Sequence, residues 1–281
     1  YHPTLGYAAK ADEMSVEVIC RLGENQLYQA TYQFLDGWRS VPADQVSDTA
    51  CAAFMGGSFT FGEGLNDEET LPARFNQLTS GYFKTLNFGF HGYGPHHALR
   101  LMDIGEATKP FESADQCRLA FYLFIPDHVR RAAGYASWDK NGPSYELMGD
   151  SLENTGQFSG AAADKGTGNK LWRALRDMWQ RSAIAHKHFR KEKIELVEED
   201  VLLTAAIFDS LNRRWEAHHT RFLVLLDPAV EEWDWGESFK KELYNRNIQY
   251  ISLQDIMTIP KDSLYIIGDG HPTEIYNQTV A

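Results

Sequence analysis

The sequence predicts an α/β fold: a three-layer α/β/α sandwich around a parallel sheet of about five strands, preceded by a small N-terminal β appendage. Three observations carry this. Short apolar runs end at Met55, Leu86 and Phe124 and recur in Phe222–Leu226 and Ile248–Ile251. Helical stretches intervene at roughly Glu69–Leu78, Pro95–Met102 and Glu237–Asn245. Ahead of them, Met14–Cys20 and Gln26–Phe34 alternate apolar and polar residues around Gly23-Glu24-Asn25.

That first alternation, broken by turn residues, reads as a hairpin. Asp36-Gly37-Trp38-Arg39 then leads through Pro42 to the first core strand, which divides the chain into an appendage over 1–48 and a main domain over 49–281. The strand–turn–helix repeat that follows favours parallel strands with helices on both faces and a ligand site at their carboxyl ends. An insertion is expected over about 135–195. Its first part, Tyr135 to Thr167, is rich in Gly, Ser, Asn, Asp and Ala, has no sustained period, and is a candidate lid. Two long helices are expected next. Leu171, Trp172, Leu175, Met178 and Trp179 form one apolar stripe; Leu203, Ile207, Leu211 and Trp215 form another. Both read as core packing.

The chain has 281 residues, an apolar share of 43% and a net charge of −12. This is enough to bury a core, and the acidity argues against nucleic acid or an anionic membrane as partner. No apolar stretch approaches the ~20 residues that span a bilayer. Lys187, Arg190, Lys191 and Lys193 read as a solvated helix end. Three cysteines, Cys20, Cys51 and Cys117, have no metal spacing and allow at most one disulfide. Tyr1 is not an initiator methionine, so a trimmed or processed start is expected.

Two segments at opposite ends carry the chemistry. Gly56-Gly57-Ser58-Phe59-Thr60-Phe61-Gly62-Glu63-Gly64 follows the apolar run Ala52–Met55, and Asp269-Gly270-His271-Pro272 follows Leu264–Ile267. A serine hydroxyl is a weak nucleophile until a histidine takes its proton and a carboxylate orients that histidine, so Ser58, His271 and Asp269 form a candidate triad. The glycines beside Ser58 suit a tight turn leaving a strand. Taken alone, the first segment is a glycine-rich turn and the second an ordinary surface loop; their joint presence gives the catalytic reading its weight.

The serine segment resembles the first sequence block of the SGNH, or GDSL, hydrolases, α/β/α esterases, lipases and acetyl-transfer enzymes. Asn87-Phe88-Gly89-Phe90-His91-Gly92-Tyr93-Gly94 is similar to their second block, and this resemblance implies that Gly92, with the Ser58 amide, donates to the oxyanion. Such backbone donors are typically worth about 3 kcal/mol each. The last block matches at Asp269 and His271. Three departures stand out. The family's acid before the serine is Gly57 here; the oxyanion asparagine of the third block falls at Pro126, which has no N–H; and the acid lies two residues before the histidine, with Gly268 at the commoner position. Asn87, His91 and His128 are the side chains near these blocks that could support substrate or oxyanion. A literal Gly149-Asp150-Ser151-Leu152 lacks such context and reads as a turn.

The resemblance implies a serine-dependent hydrolase of short acyl esters, such as acetyl groups on carbohydrate, needing no cofactor or metal. His96-His97 and His218-His219 are adjacent pairs, and neighbours on a helix point about 100° apart, poor for chelation. Trp138, Trp233 and Trp235 could stack on sugar rings, although packing is the commoner use. Two further readings stand beside hydrolysis. One is a polysaccharide O-acetyltransferase using the same triad. The other is a catalytically weak carbohydrate-binding or assembly protein, which Gly57 and Pro126 favour. A small-molecule or polysaccharide ester is the expected partner, and the resemblance implies a periplasmic or extracytoplasmic location.

Overall fold

The computed structural model describes residues 1–10, 14–42, 50–109, 117–149, 151–161 and 196–281. The stripe from Leu171 to Trp179 and the basic run from Lys187 to Lys193 lie outside them. The strands are β1 (Ser15–Leu22), β2 (Asn25–Leu35), β3 (Trp38–Arg39), β4 (Cys51–Gly56), β5 (Lys84–Asn87), β6 (Cys117–Phe124), β7 (Pro143–Met148), β8 (Ser151–Gln157), β9 (Arg221–Leu226) and β10 (Tyr250–Ser252). Eight form one sheet in the order β1-β2-β3-β5-β4-β6-β9-β10. Five of them, β5-β4-β6-β9-β10, run parallel to one another, as the repeat predicts.

The N-terminal hairpin turns at Gly23-Glu24, with Leu22 opposite Asn25. It is continuous with the sheet: β2 pairs antiparallel with β3, and β3 with the edge of β5 through Arg39 and Asn87. Arg39 is the reason this edge matters. It is buried, and its guanidinium pairs with Asp67 at 2.7 Å and donates to the carbonyls of Phe61, Gly62 and Leu65. The loop that follows the serine segment is thereby fixed to the hairpin.

Side chains along the central strands alternate between two cores, because successive residues of a strand face opposite ways. Ala52, Phe54, Leu123 and Leu225 face a cluster completed by Leu71, Leu253, Leu264 and Tyr276. This layer holds α2 (Leu71–Leu78) and the C-terminal helices, Lys261–Leu264 and Glu274–Val280. Ala53, Met55, Tyr122, Phe124, Phe222, Val224 and Leu226 face the larger core with Ile207, Phe208, Leu211, Trp215 and Phe239. That layer holds α3 (Pro95–Asp103), α4 (Asp127–Ala132) and two longer helices, Glu198–Ala217 and Gly236–Asn245. The stripe of Leu203, Ile207, Leu211 and Trp215 falls in the first of these two. The three-layer α/β/α sandwich is therefore observed.

The expected lid is partly a hairpin. β7 and β8 pair antiparallel, and Tyr145 is buried with its hydroxyl donating to Asp103 of α3 at 2.7 Å. The alternation that makes this hairpin is short and interrupted by a register shift after Ser144, so the Gly, Ser and Asn content hid it. Of the literal Gly-Asp-Ser-Leu, Gly149 follows β7 with φ +64°, Ser151 and Leu152 open β8, and residue 150 is outside the described set.

The tail folds back onto the carboxyl end of the sheet through Asp227, just after β9. This buried carboxylate accepts from the hydroxyls of Tyr276 at 2.7 Å and Tyr265 at 3.1 Å and from the Ala229 N–H at 2.9 Å. Asn277 donates to the Glu69 carbonyl, and Glu274 pairs with Arg74 of α2. Removing the Tyr276 hydroxyl leaves a buried carboxylate with one donor fewer, so Tyr276→Phe is expected to cost about 1–3 kcal/mol. Urea unfolding at neutral pH measures it, and an unchanged midpoint would contradict this account of the latch.

Candidate active site

The serine segment lies where the sheet geometry places ligands, at the carboxyl end of β4. Ser58 opens a single helical turn, α1 (Ser58–Phe61), that Gly57 starts and Gly62 closes. Gly57 has an unremarkable φ of −91°, so backbone freedom is not why glycine stands there. Close packing is. A Cβ on Gly57 would lie 2.8 Å from Arg131 Nη1, 3.0 Å from His128 Nε2 and 3.0 Å from the Tyr93 carbonyl oxygen. The space that an acidic side chain would need is already filled.

His271 Nε2 lies 2.9 Å from Ser58 Oγ, and His271 Nδ1 lies 2.5 Å from Asp269 Oδ2. The two partners are 213 residues apart in the chain and adjacent in space. A tight turn presents them. The amides of Asp269 and Gly270 donate to the Ile266 carbonyl, and Ile266 and His271 are joined backbone to backbone at 2.8 Å. Asp269 Oδ2 also accepts the His271 amide at 3.3 Å, which fixes the carboxylate against the imidazole.

Glu63 also belongs to this site. Its Oε2 lies 2.8 Å from His91 Nδ1 and 3.3 Å from His271 Nε2. Burial pushes its carboxyl up, but the His91 hydrogen bond, the charges of His271 and His91 and the Tyr28 hydroxyl outweigh it. The net direction is down, so Glu63 is an anion beside His271 at neutral pH. Its only signal in the sequence is a charged residue between two glycines, and that pattern has many ordinary uses.

The remaining candidates divide. Gly92 has φ +72°, a left-handed conformation that favours glycine, and a Cβ there would sit 2.6 Å from both Trp138 Nε1 and the Tyr7 hydroxyl. No described residue accepts its N–H. With Tyr7, His91, Arg131 and Trp138 it lines a cleft of 440 Å³. Asn87 does not face this cleft. It is buried, its amide donates to the Thr60 carbonyl at 3.0 Å and its oxygen accepts the Gly89 N–H at 2.9 Å, so it locks α1 to the following loop. His128 is also buried. Its Nδ1 accepts the Ile125 N–H at 3.3 Å and faces the Tyr122 hydroxyl, which leaves its proton on Nε2. Pro126 precedes α4 and offers no donor, as its chemistry requires.

Nothing in the sequence marks Arg131 or Tyr7 as a member of the site, whereas Trp138, named as a possible sugar-stacking residue, does line the cleft. Arg131 belongs to a helix whose sequence signal is short, and Tyr7 lies in the segment read as appendage. Only packing brings them to one cleft.

Behind the cleft, His96, His97 and Asp139 are buried with possible ligand atoms within 4.8 Å of one another. Adjacent histidines were expected to diverge. In the first turn of α3 both rings instead turn toward Asp139, with their centroids 4.2 Å apart. His97 Nδ1 accepts the Gly94 N–H, which puts the His97 proton on Nε2, facing Asp139 Oδ1 across 3.4 Å. A protonated ring nitrogen has no lone pair for a cation. With His96 Nε2 donating to Asp139 Oδ2 at 2.8 Å, the cluster is a polar clamp. Its partners hold the Asp139 carboxyl below the usual range despite burial.

The fold and the site together define an α/β/α domain with a serine–histidine–aspartate line at the carboxyl edge of its sheet. No family model matches the chain, and no curated protein matches it. Solved structures do. It is similar to TesA at 11% identity and TM-score 0.45, covering 81% of this chain and 91% of that one. A GDSL-like lipase from Bacteroides thetaiotaomicron matches at 13% and 0.40 over 85% and 88% of the two chains. AlinE4, an SGNH-hydrolase family esterase, matches at 13% and 0.39 over 80% and 90%. The likenesses are loose, so the chemistry rests on the site itself.

Burial holds His96 down to about 4, helped by His97, and holds His128 well below its ordinary value. Both rings stay neutral in the fold while the unfolded chain protonates them near pH 6.5. Below that pH the unfolded state binds the extra protons, so stability should fall as pH drops from about 6.5 toward 4, by about 3 kcal/mol for His96 alone. Urea unfolding at a series of pH values measures the slope. His96→Gln should lower it by about one proton, and an unchanged slope would show that this ring does not stay neutral.

Proposed function

We propose that this chain is a serine-dependent carboxylic ester hydrolase of the SGNH/GDSL type. The observation that carries the reading is the unbroken line from Ser58 Oγ through His271 to Asp269, at 2.9 and 2.5 Å. In the proposed reaction His271 Nε2 takes the Ser58 proton as Oγ attacks the ester carbonyl. The carbonyl π pair moves onto oxygen, and the Ser58 and Gly92 amides receive that oxyanion. Collapse restores the carbonyl and breaks the bond to the leaving alkoxide, which takes its proton from His271. Water, deprotonated by the same nitrogen, then releases the acid from Ser58. Asp269 holds the imidazole tautomer, and Glu63 adds a second anion beside the imidazolium that forms.

For the substrate, the reading favours a short acyl group, acetyl foremost, carried on a carbohydrate or similar alcohol. Trp138 supports this: it is half exposed at the cleft, in reach of a sugar face, and held by the guanidinium groups of Arg130 and Arg131 at 5.3 and 5.7 Å. A periplasmic or extracytoplasmic site of action goes with an envelope carbohydrate. O-acetyl transfer to a polysaccharide hydroxyl remains the second reading, because acceptor and water attack the same acyl-enzyme. The assembly-protein reading loses ground to the intact hydrogen-bonded line.

Purified protein should hydrolyse p-nitrophenyl acetate and lose roughly 10⁴-fold or more in kcat on Ser58→Ala or His271→Ala. Turnover that survives Ser58→Ala would refute the nucleophile. Rates with acetyl, butyryl and octanoyl esters define the acyl pocket, with acetyl expected fastest. Acetylated product formed with an oligosaccharide acceptor, faster than free acetate, would turn the assignment to transfer.

A further inference from the structure

We infer that the Arg131 guanidinium is the third oxyanion donor, standing in for the side-chain donor that Pro126 cannot supply. The inference rests on the serine-hydrolase reading above and adds to it a residue that the family resemblance does not provide.

Three observations meet at this side chain. First, Arg131 lies five residues beyond Pro126, in the helix that follows β6, on the same carboxyl edge as Ser58. Second, its Nη1 comes within 2.8 Å of where a Cβ on Gly57 would be, so the guanidinium packs directly on the peptide that leads into Ser58. Third, it lines the cleft with Gly92, whose N–H no described residue takes up. One residue thus accounts for two departures. Gly57 replaces the usual acid because the guanidinium occupies that space, and Pro126 is tolerated because the guanidinium replaces the lost donor.

The group is held as an oxyanion donor has to be, aimed before the reaction starts. Asp127 Oδ2 accepts from Nε at 2.6 Å, and the Tyr93 carbonyl accepts from Nη1 at 2.8 Å. Nη2 has no hydrogen bond to any described residue. Asp127 is held below the usual carboxylate range, its burial outweighed by Arg131 and Arg130, so the pair is ionised at neutral pH. Tyr93 is fixed in turn by stacking on His97, 4.0 Å between centroids and 6° from parallel, and the His96–His97–Asp139 clamp lies behind it. His128 is a rival donor, since its Nε2 N–H has no partner among the described residues, but it is fully buried and does not line the cleft.

When Ser58 Oγ bonds to the ester carbon and the π pair moves to oxygen, the negative charge grows within reach of an N–H that the neutral ester engages weakly. The effect should therefore fall on kcat. The experiment compares the full chain with Arg131→Gln, Arg131→Lys and Ser58→Ala, using p-nitrophenyl acetate turnover and the rate of fluorophosphonate labelling, with near-ultraviolet circular dichroism as the check on folding. Arg131→Gln should lower kcat about 100-fold with KM changed little, and slow labelling in parallel. Arg131→Lys, which keeps a cation for Asp127 but loses the fork, should fold even if the glutamine variant does not and still lose at least about tenfold. A folded variant with wild-type kcat and labelling would overturn the inference. So would a loss confined to KM, which would make Arg131 a ground-state contact. Failure of the underlying reading looks different: Ser58→Ala would keep its turnover, or the unmodified chain would resist labelling.

Discussion

A buried carboxylate at the end of β9 organises this molecule. Asp227 sits where burial pushes its pKa up, and it is made tolerable by an amide and two tyrosine hydroxyls. Those tyrosines flank the His271 turn, Tyr265 before it and Tyr276 after it. The tail packs Leu264, Tyr265, Tyr276 and Val280 on the smaller core, and the directional hydrogen bonds to Asp227 fix where along that surface it docks. Because Asp227 ends a strand two places from β4 in the sheet, docking the tail there carries His271 to Ser58.

The second constraint is crowding around the proposed nucleophile. Arg131, His128 and Tyr93 press on Gly57, and each has a reason to be rigid. Arg131 is tied to Asp127, His128 to Ile125 and Tyr122, and Tyr93 to the Tyr7 carbonyl through its hydroxyl. On the other flank, Arg39 holds the carbonyls after α1, so Glu63 arrives beside both His91 and His271. Two buried guanidinium groups thus hold the serine turn, Arg131 at the residue before Ser58 and Arg39 at the carbonyls that end the turn. Burying two such charges is costly, and each has an acidic partner and backbone acceptors that offset the loss of water.

Much of this was legible in the chain. The central strands β4, β6 and β9 showed as apolar runs, because a strand covered on both faces has little room for polar residues; β5 and β10, the outer members of the parallel set, are shorter and more polar. The helix from Pro95, the one ending at Asn245 and the stripe through Trp215 showed by their periods. The hairpin showed by its alternation. Ser58, Asp269 and His271 could be picked out because tight turns and proton relays restrict residue type over a few positions, whereas Gly92 was implied by the family resemblance alone. Asn87 was picked for its place in a block, and the structure gives its amide to the Thr60 carbonyl, a partner 27 residues away that no local pattern announces. The adjacent histidines were dismissed on helical geometry, yet the start of α3 turns both toward Asp139, 43 residues from His96.

The sequence by itself determined the layers of the sandwich and the residue types at its turns, since periodicity and turn chemistry are short-range properties. Only the tertiary structure decided that the hairpin continues the sheet, that Glu63 stands beside His271, and that Arg131 fills the space next to Gly57. Those outcomes depend on which distant surfaces come into contact, and a side chain's spacing along the chain does not encode the neighbour it meets across a fold.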